Sequence, residues 1–171
     1  MLFLSLLILL FLVYGIVEYR VHRRRIAGIP IRVQVNGTRG KSSVTRLIAA
    51  GLRAGGMRVI AKTTGTTPRF IVSDTEEDPI PRPGKANIIE NVQIIRRAVT
   101  YQPQAVILEC MALVPQYQWT DAHRLIRPTH GVVTNARADH LDVMGPTVKD
   151  VAIALSNTVP DHAKFFTPPK L

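Results

Sequence analysis

The stretch VQVNGTRGKSSVTRLIAAGL, residues 33–52, restricts the possible folds more than any other part of the chain. An apolar run stops at Asn36, a loop with two glycines follows, and Lys41, Ser42 and Ser43 open a segment with Val44, Leu47, Ile48 and Leu52 at helical spacing. The pattern predicts a strand over 32–35 and a helix over 43–54, capped by Gly55 and Gly56. Further along, strands are predicted over 57–61, 105–109 and 130–135, and helices over 88–101 and 147–158. The Thr- and Pro-rich segment 63–87 reads as a long functional loop with a short strand at 70–72. Strands alternating with helices imply an α/β fold, a parallel sheet flanked by helices, in which ligands sit at the carboxyl ends of the strands. The loop at Asn36, the acid Glu109 and the loop after Asn135 all fall at that edge.

Three segments there carry chemistry. GTRGKS, residues 37–42, has the make-up of a phosphate-binding loop: its glycines let backbone N–H groups face an anion, and the following helix adds its positive end. Lys41 is placed to reach β- and γ-phosphates and the Ser42 hydroxyl to hold Mg²⁺, with Asn36, Gly37, Thr38, Arg39, Gly40 and Ser43 completing the nucleotide contact. The loop departs from GxxxxGK[ST], since its first glycine would fall at Val35; an ordinary turn with a surface lysine is the competing reading. AVILE, residues 105–109, is a buried strand that delivers Glu109 to the ligand edge, either to support Mg²⁺ or to cap a helix. NARADHLDVMG, residues 135–145, sets His140 between Asp139 and Asp142. His140 reads as a ligand for a second divalent cation, oriented by either acid, or as a structural histidine.

The first seventeen residues carry no charge, and Arg20, Arg23, Arg24 and Arg25 follow. This predicts a single-pass membrane anchor over 1–17, a basic juxtamembrane linker over 18–30, and the rest of the chain on the cytoplasmic side. The formal net charge of +10 fits phosphate-bearing partners, but only 6% of residues are aromatic, too few to interleave with the basic residues for nucleic-acid binding. The single Cys110 excludes an internal disulfide.

The motifs NGTRGKS, ILEC and NARADHLDVMGPT, in this order, resemble those of the ATP-dependent amide ligases of the Mur ligase and folylpolyglutamate synthetase superfamily. With the apolar N-terminus, KTTGTTPR and ECMALVPQYQ, the chain is similar to the branch that ligates poly-γ-glutamate. The resemblance implies a P-loop NTPase-like Mur ligase central domain over 31–160. It implies ATP and Mg²⁺ as cofactors, glutamate and a poly-γ-glutamate chain as substrates, and other membrane subunits of a synthase complex as partners. In the implied reaction ATP phosphorylates the terminal γ-carboxylate of the chain and the amine of an incoming glutamate displaces phosphate. By carry-over Lys41, Glu109 and His140 are catalytic, Ser42 and Glu109 hold one Mg²⁺, and His140 holds the other. The loop holding Thr66 and Arg69 lies on the substrate side, where Arg69 either pairs with a glutamate carboxylate or is solvated. The carbamylated lysine that many relatives carry after the histidine has no counterpart near Leu155. Such ligases continue further, so 31–160 is expected to be incomplete, truncated or frame-shifted, and 161–171 an atypical tail. A membrane-tethered phosphate-loop ATPase and a non-catalytic nucleotide-binding fragment are the alternative functions.

Overall fold

The strand Ala105–Glu109 (β5) is buried at every position and alternates its side chains between two separate cores. Val106 and Leu108 point to a face shared with Ile60, Phe70, Ile94 and Ile95, while Ala105 and Ile107 point to a face shared with Val33, Val35, Ala49 and Ala61. A strand covered on both faces must lie inside a sheet, which is why AVIL is continuously apolar.

In the computed structural model, which describes residues 1–82, 84, 86–159 and 163–169, that sheet has seven strands. Besides β5 they are Ile31–Asn36 (β1), Val59–Thr63 (β2), Arg69–Ile71 (β3), Glu77–Pro79 (β4), His130–Val133 (β6) and Lys164–Phe166 (β7), in the order β4-β3-β2-β5-β1-β6-β7. The helices are Leu2–Ala27 (α1), Lys41–Ala54 (α2), Glu90–Ala98 (α3), Pro115–Thr120 (α4), Leu141–Met144 (α5) and Val148–Ser156 (α6). A 3₁₀ turn, Val99–Tyr101, extends α3, and a π turn, Asp121–Ile126, extends α4.

Several expectations need correction. The sheet is mixed: β2, β5, β1, β6 and β7 run parallel, but β3 is antiparallel to β2 and β4 to β3. The segment read as a long loop folds back as this two-stranded edge because Phe70 and Ile71 are buried. The segment 18–30, expected as a linker, is helical as far as Ala27. The N-terminal helix runs on unbroken to Ala27, and His22, Ile26 and Ile29 are buried against the domain, His22 Nε2 lying 2.9 Å from the Leu125 carbonyl oxygen. Leu47 does not join the core stripe of α2: it is 71% exposed, and Thr45 and Ala49 are the fully covered positions. The tail contributes β7, which pairs with β6 from His130 to Val132. Pro83 and Lys85 of the expected loop, Pro160, and Asp161, His162, Lys170 and Leu171 of the expected tail lie outside the described residues.

The apolar part of α1 is wholly exposed, and the helix is long and apolar enough to cross a membrane. Leu155, where a lysine was sought, is 1% exposed in a small core with Val133, Met144 and Val151. That position faces packing rather than ligand.

Candidate active site

The carboxyl ends of β1, β2, β5 and β6 meet at one edge, and the phosphate loop sits there. Gly37 takes φ 129°, a left-handed conformation, and a Cβ on it would collide with the Thr134 hydroxyl and approach the Asn135 carbonyl oxygen to 3.0 Å. The loop is stapled to the segment after β6. Thr38 Oγ1 donates to Asn135 Oδ1 (2.6 Å), and the Arg39 N–H donates to the same oxygen (3.1 Å). Asn135 Nδ2 and Thr134 Oγ1 both donate to the Arg39 carbonyl. Asn36 anchors the start of the loop: its Oδ1 accepts from the Gly37 N–H (2.8 Å), and its buried Nδ2 donates to Gln118 Oε1 (2.9 Å) and Thr158 Oγ1 (3.2 Å).

Lys41 folds over the loop and donates to the Gly37 carbonyl at 2.7 Å. The Ser42 hydroxyl donates to Glu109 Oε2 at 2.7 Å, and the Thr64 N–H donates to the same carboxylate oxygen at 2.9 Å. Glu109, 3% exposed, is thus held between the phosphate loop and the end of β2. A cavity of about 250 Å³ opens at this point, lined by Gly37, Lys41, Glu109 and His140 together with Thr64 and Arg82. The Cys110 thiol also faces it, fully buried and pushed up to about 12 by that burial, so it stays protonated.

Ser42 and Glu109 form an adjacent pair of hard oxygen donors beside a phosphate loop. This fits Mg²⁺, which takes one or two protein ligands and fills its octahedron with water and phosphate oxygens. Among the described residues no three His, Cys, Asp or Glu side chains gather into a ready-made metal cluster. His140 reaches the cavity from a left-handed backbone (φ 51°) that starts α5, and its Nε2 lies 3.8 Å from Asp139 Oδ1. Asp139 is itself paired with Arg39 at 3.1 Å. Ser43 and Thr66 are exposed and outside the cavity lining. Arg69 is also outside it, 3.7 Å from Glu77, which Arg46 contacts at 2.7 Å. The arginine that does line the cavity is Arg82, which grips Glu90 with Nε and Nη2 (2.6 and 3.0 Å).

Behind the site runs a buried polar network that sequence reading missed. Lys62, wholly buried on β2, donates to Asn91 Oδ1 (2.6 Å) and pairs with Glu90 (2.9 Å). Asn91 Nδ2 and Gln34 Nε2 donate to the two oxygens of Asp121 at 2.6 and 3.0 Å. Burial lowers Lys62 below the usual ammonium range despite Glu90, and raises Asp121 to about 6. Gln34 Oε1 is buried without a partner, an acceptor that a protonated Asp121 would satisfy once the Gln34 amide turned over. Arg82 was legible only as one cation in a Pro-rich loop, since its partner Glu90 is on α3.

Comparison with known proteins gives the same result by sequence and by shape. The profile of the Mur ligase middle domain matches residues 35–164. A capsule biosynthesis protein CapB of Bacillus anthracis is 42% identical over 158 residues, which cover 91% of this chain and 34% of that protein. A PGA synthase CapB of Bacillus subtilis (strain 168) is 44% identical over 151 residues, covering 87% and 38%. The chain therefore spans little more than a third of the length of these curated relatives. In shape it is similar to the apo form of L. casei FPGS (TM-score 0.56, 17% identity, 90% of this chain and 43% of that one). It is also similar to MurF from Acinetobacter baumannii (TM-score 0.62, 12% identity, 87% and 28%).

Proposed function

The chain belongs to the Mur ligase middle-domain family, and from that premise we propose that it is the ATP-binding, carboxylate-activating part of a ligase that extends poly-γ-glutamate at a membrane. The observation that carries the proposal is the convergence on one cavity of Lys41, His140 and Glu109, to which Ser42 donates from behind the lining. The relatives named as a capsule biosynthesis protein and a PGA synthase supply the substrate class.

The residues divide the work as follows. The amides of 37–42 and the Lys41 ammonium, turning from the Gly37 carbonyl to the nucleotide, cradle the β- and γ-phosphates. The terminal γ-carboxylate of the polymer attacks the γ-phosphorus, ADP leaves, and an acyl phosphate results. The amine of the incoming glutamate then attacks the acyl carbon, the C–O bond to phosphate breaks, and the amine loses a proton. Ser42 and Glu109 would hold Mg²⁺, and His140 a second ion; when bound, these cations neutralise the charge on the transferring phosphoryl group. Arg82, fixed by Glu90, presents a cation at the mouth of the cavity. It is better placed for a substrate carboxylate than Arg69, because Arg82 lines the cavity and Arg69 does not.

We further assign α1 as a single membrane span, with the arginines that follow it on the cytoplasmic side and the polymer made beside other membrane subunits. Phosphate release by the intact chain, reconstituted in vesicles with ATP and Mg²⁺, tests the reading. Release stimulated by glutamate supports a ligase. Glutamate-independent release points to an ATPase, and nucleotide binding without turnover to a binding fragment. Resistance to extraction by high salt tests the span, since screening removes a purely electrostatic attachment.

A further inference from the structure

A cavity larger than that beside the phosphate loop lies at the opposite edge of the sheet. It measures about 580 Å³ and is bordered by Arg23 at the end of α1, Arg32 at the start of β1, Arg124 and Arg127 of the π-turn region, Trp119 of α4 and Thr129 just before β6. These are amino ends of strands, so the cavity belongs to none of the nucleotide machinery described above. Four guanidinium groups converge there from elements about a hundred residues apart, and no carboxylate is among the described residues of the lining. None of the four has an ion-pair partner among the described residues. Arg23 meets the Tyr19 hydroxyl and ring, Arg124 lies over the Trp119 ring, and Arg32 donates to the carbonyls of Arg127 (2.8 Å) and Ile29 (2.5 Å). Burial and, after it, the nearby Arg127 charge hold Arg32 below the usual guanidinium range.

The position of this cluster identifies its ligand. Arg23 is six residues beyond Val17, where the uncharged run ends, and a helix rises about 1.5 Å per residue, so its backbone stands roughly 9 Å past the hydrocarbon. That is the outer margin of the headgroup layer, which reaches about 5–8 Å beyond the apolar core, and the long arginine side chain can lean back into it. Trp119, 40% exposed, puts an amphipathic ring at the same mouth, a residue type enriched at membrane interfaces. We propose that this pocket binds the phosphodiester headgroup of an anionic phospholipid. Guanidinium forks match phosphate oxygens in pairs, and the site fixes how the domain rests on the bilayer. The inference rests on α1 spanning the membrane.

Trp119 is the only tryptophan of the chain, so it reports on this pocket without labelling. The intact chain is placed in phosphatidylcholine vesicles with increasing phosphatidylglycerol, and Trp119 emission is followed. A saturating change is expected with the anionic lipid and none with phosphatidylcholine alone. R124Q/R127Q, and separately R23Q, should raise the half-saturating lipid fraction about tenfold or more, as loss of charge-assisted hydrogen bonds requires. Unaltered ATP binding at the far edge and an unaltered far-ultraviolet circular dichroism spectrum establish that the variants are folded, and each variant's emission change is referred to its own spectrum in phosphatidylcholine. The same emission change from inorganic phosphate or soluble poly-γ-glutamate in phosphatidylcholine vesicles would overturn the lipid assignment, as would variants that respond like the parent. A chain that floats with vesicles yet ignores phosphatidylglycerol refutes the pocket alone. One that does not float refutes the span and the pocket together.

Discussion

Replacing Lys62 with Met tests whether the buried network behind the active site is under real tension. Lys62 has no solvent exposure, and its ammonium is shared between Asn91 Oδ1 and Glu90 Oε1. Met keeps the length of the stem and removes only the charge and its donors. Two losses follow. Asn91 Oδ1 becomes a buried acceptor with no donor, which costs about 1–3 kcal/mol. Glu90 loses one of two cations. Breaking a buried pair costs about 3–5 kcal/mol when the leftover charge is stranded, but Glu90 keeps Arg82 at 2.6 and 3.0 Å, so the low end of that range applies. The two losses together come to about 4–6 kcal/mol, and removing a buried ammonium returns part of its dehydration cost, which leaves a net of roughly 3 kcal/mol, a fall in Tm of roughly 6–12 °C for a chain of this size. Trp119 fluorescence during thermal unfolding in nanodiscs reads it directly, because α4 leads straight into the turn that holds Asp121. A Tm unchanged or raised by Lys62→Met would refute the reasoning, since it would mean that dehydrating the ammonium costs as much as its partners return.

Three other outcomes are expected. Lys41→Ala should leave Tm unchanged and weaken ATP binding by about a hundredfold, the loss of a charged contact to phosphate, measured by calorimetry; equal affinity would remove Lys41 from the nucleotide site. His140→Asn, which tolerates the left-handed backbone at that position, should spare ATP affinity and slow glutamate-dependent phosphate release about a hundredfold or more. A variant that melts early but turns over at the parental rate would make His140 structural. Asp121 binds its proton more tightly folded than unfolded, so its contribution to stability is complete below about pH 4 and is lost as pH rises through about 6. Asp121→Asn should flatten the stability profile across that window, and an unchanged slope in urea titrations from pH 4 to 7 would show that Asp121 is ionised throughout.

The phosphate loop and Glu109 could be read from the chain because each is a local device: a glycine pair before a helix, an acid at the end of an apolar strand. Gly37 shows why the reading works, since its φ of 129° and its contact with Thr134 permit no side chain. Lys62, Asn91 and Asp121 could not be read that way. They come from β2, α3 and the π turn, and each alone looks like an ordinary surface polar residue. The segment 115–126 gave no helical signal, for α4 is only six residues long and the π turn breaks the 3.6-residue period. Arg69 and Arg82 illustrate the same limit. Both are loop arginines in sequence, and only the pairing of β3 with β4 sends one to Glu77 and leaves the other beside the nucleotide loop.

The unbroken run of α1 into the domain has an electrostatic consequence. With His22, Ile26 and Ile29 packed into the body, the helix is a rigid pillar rather than a tether. From Val17 to Ala27 it rises about 15 Å, and β1 adds roughly 20 Å before the phosphate loop begins. If the two are stacked in line, ATP is received about 35 Å from the hydrocarbon, several Debye lengths from an acidic lipid surface at physiological ionic strength. A flexible leash would let the loop sink to the bilayer, where the negative surface potential thins the local nucleotide concentration. With α1 spanning the bilayer as proposed above, the pillar would keep the nucleotide in bulk electrolyte while its foot stays among the headgroups.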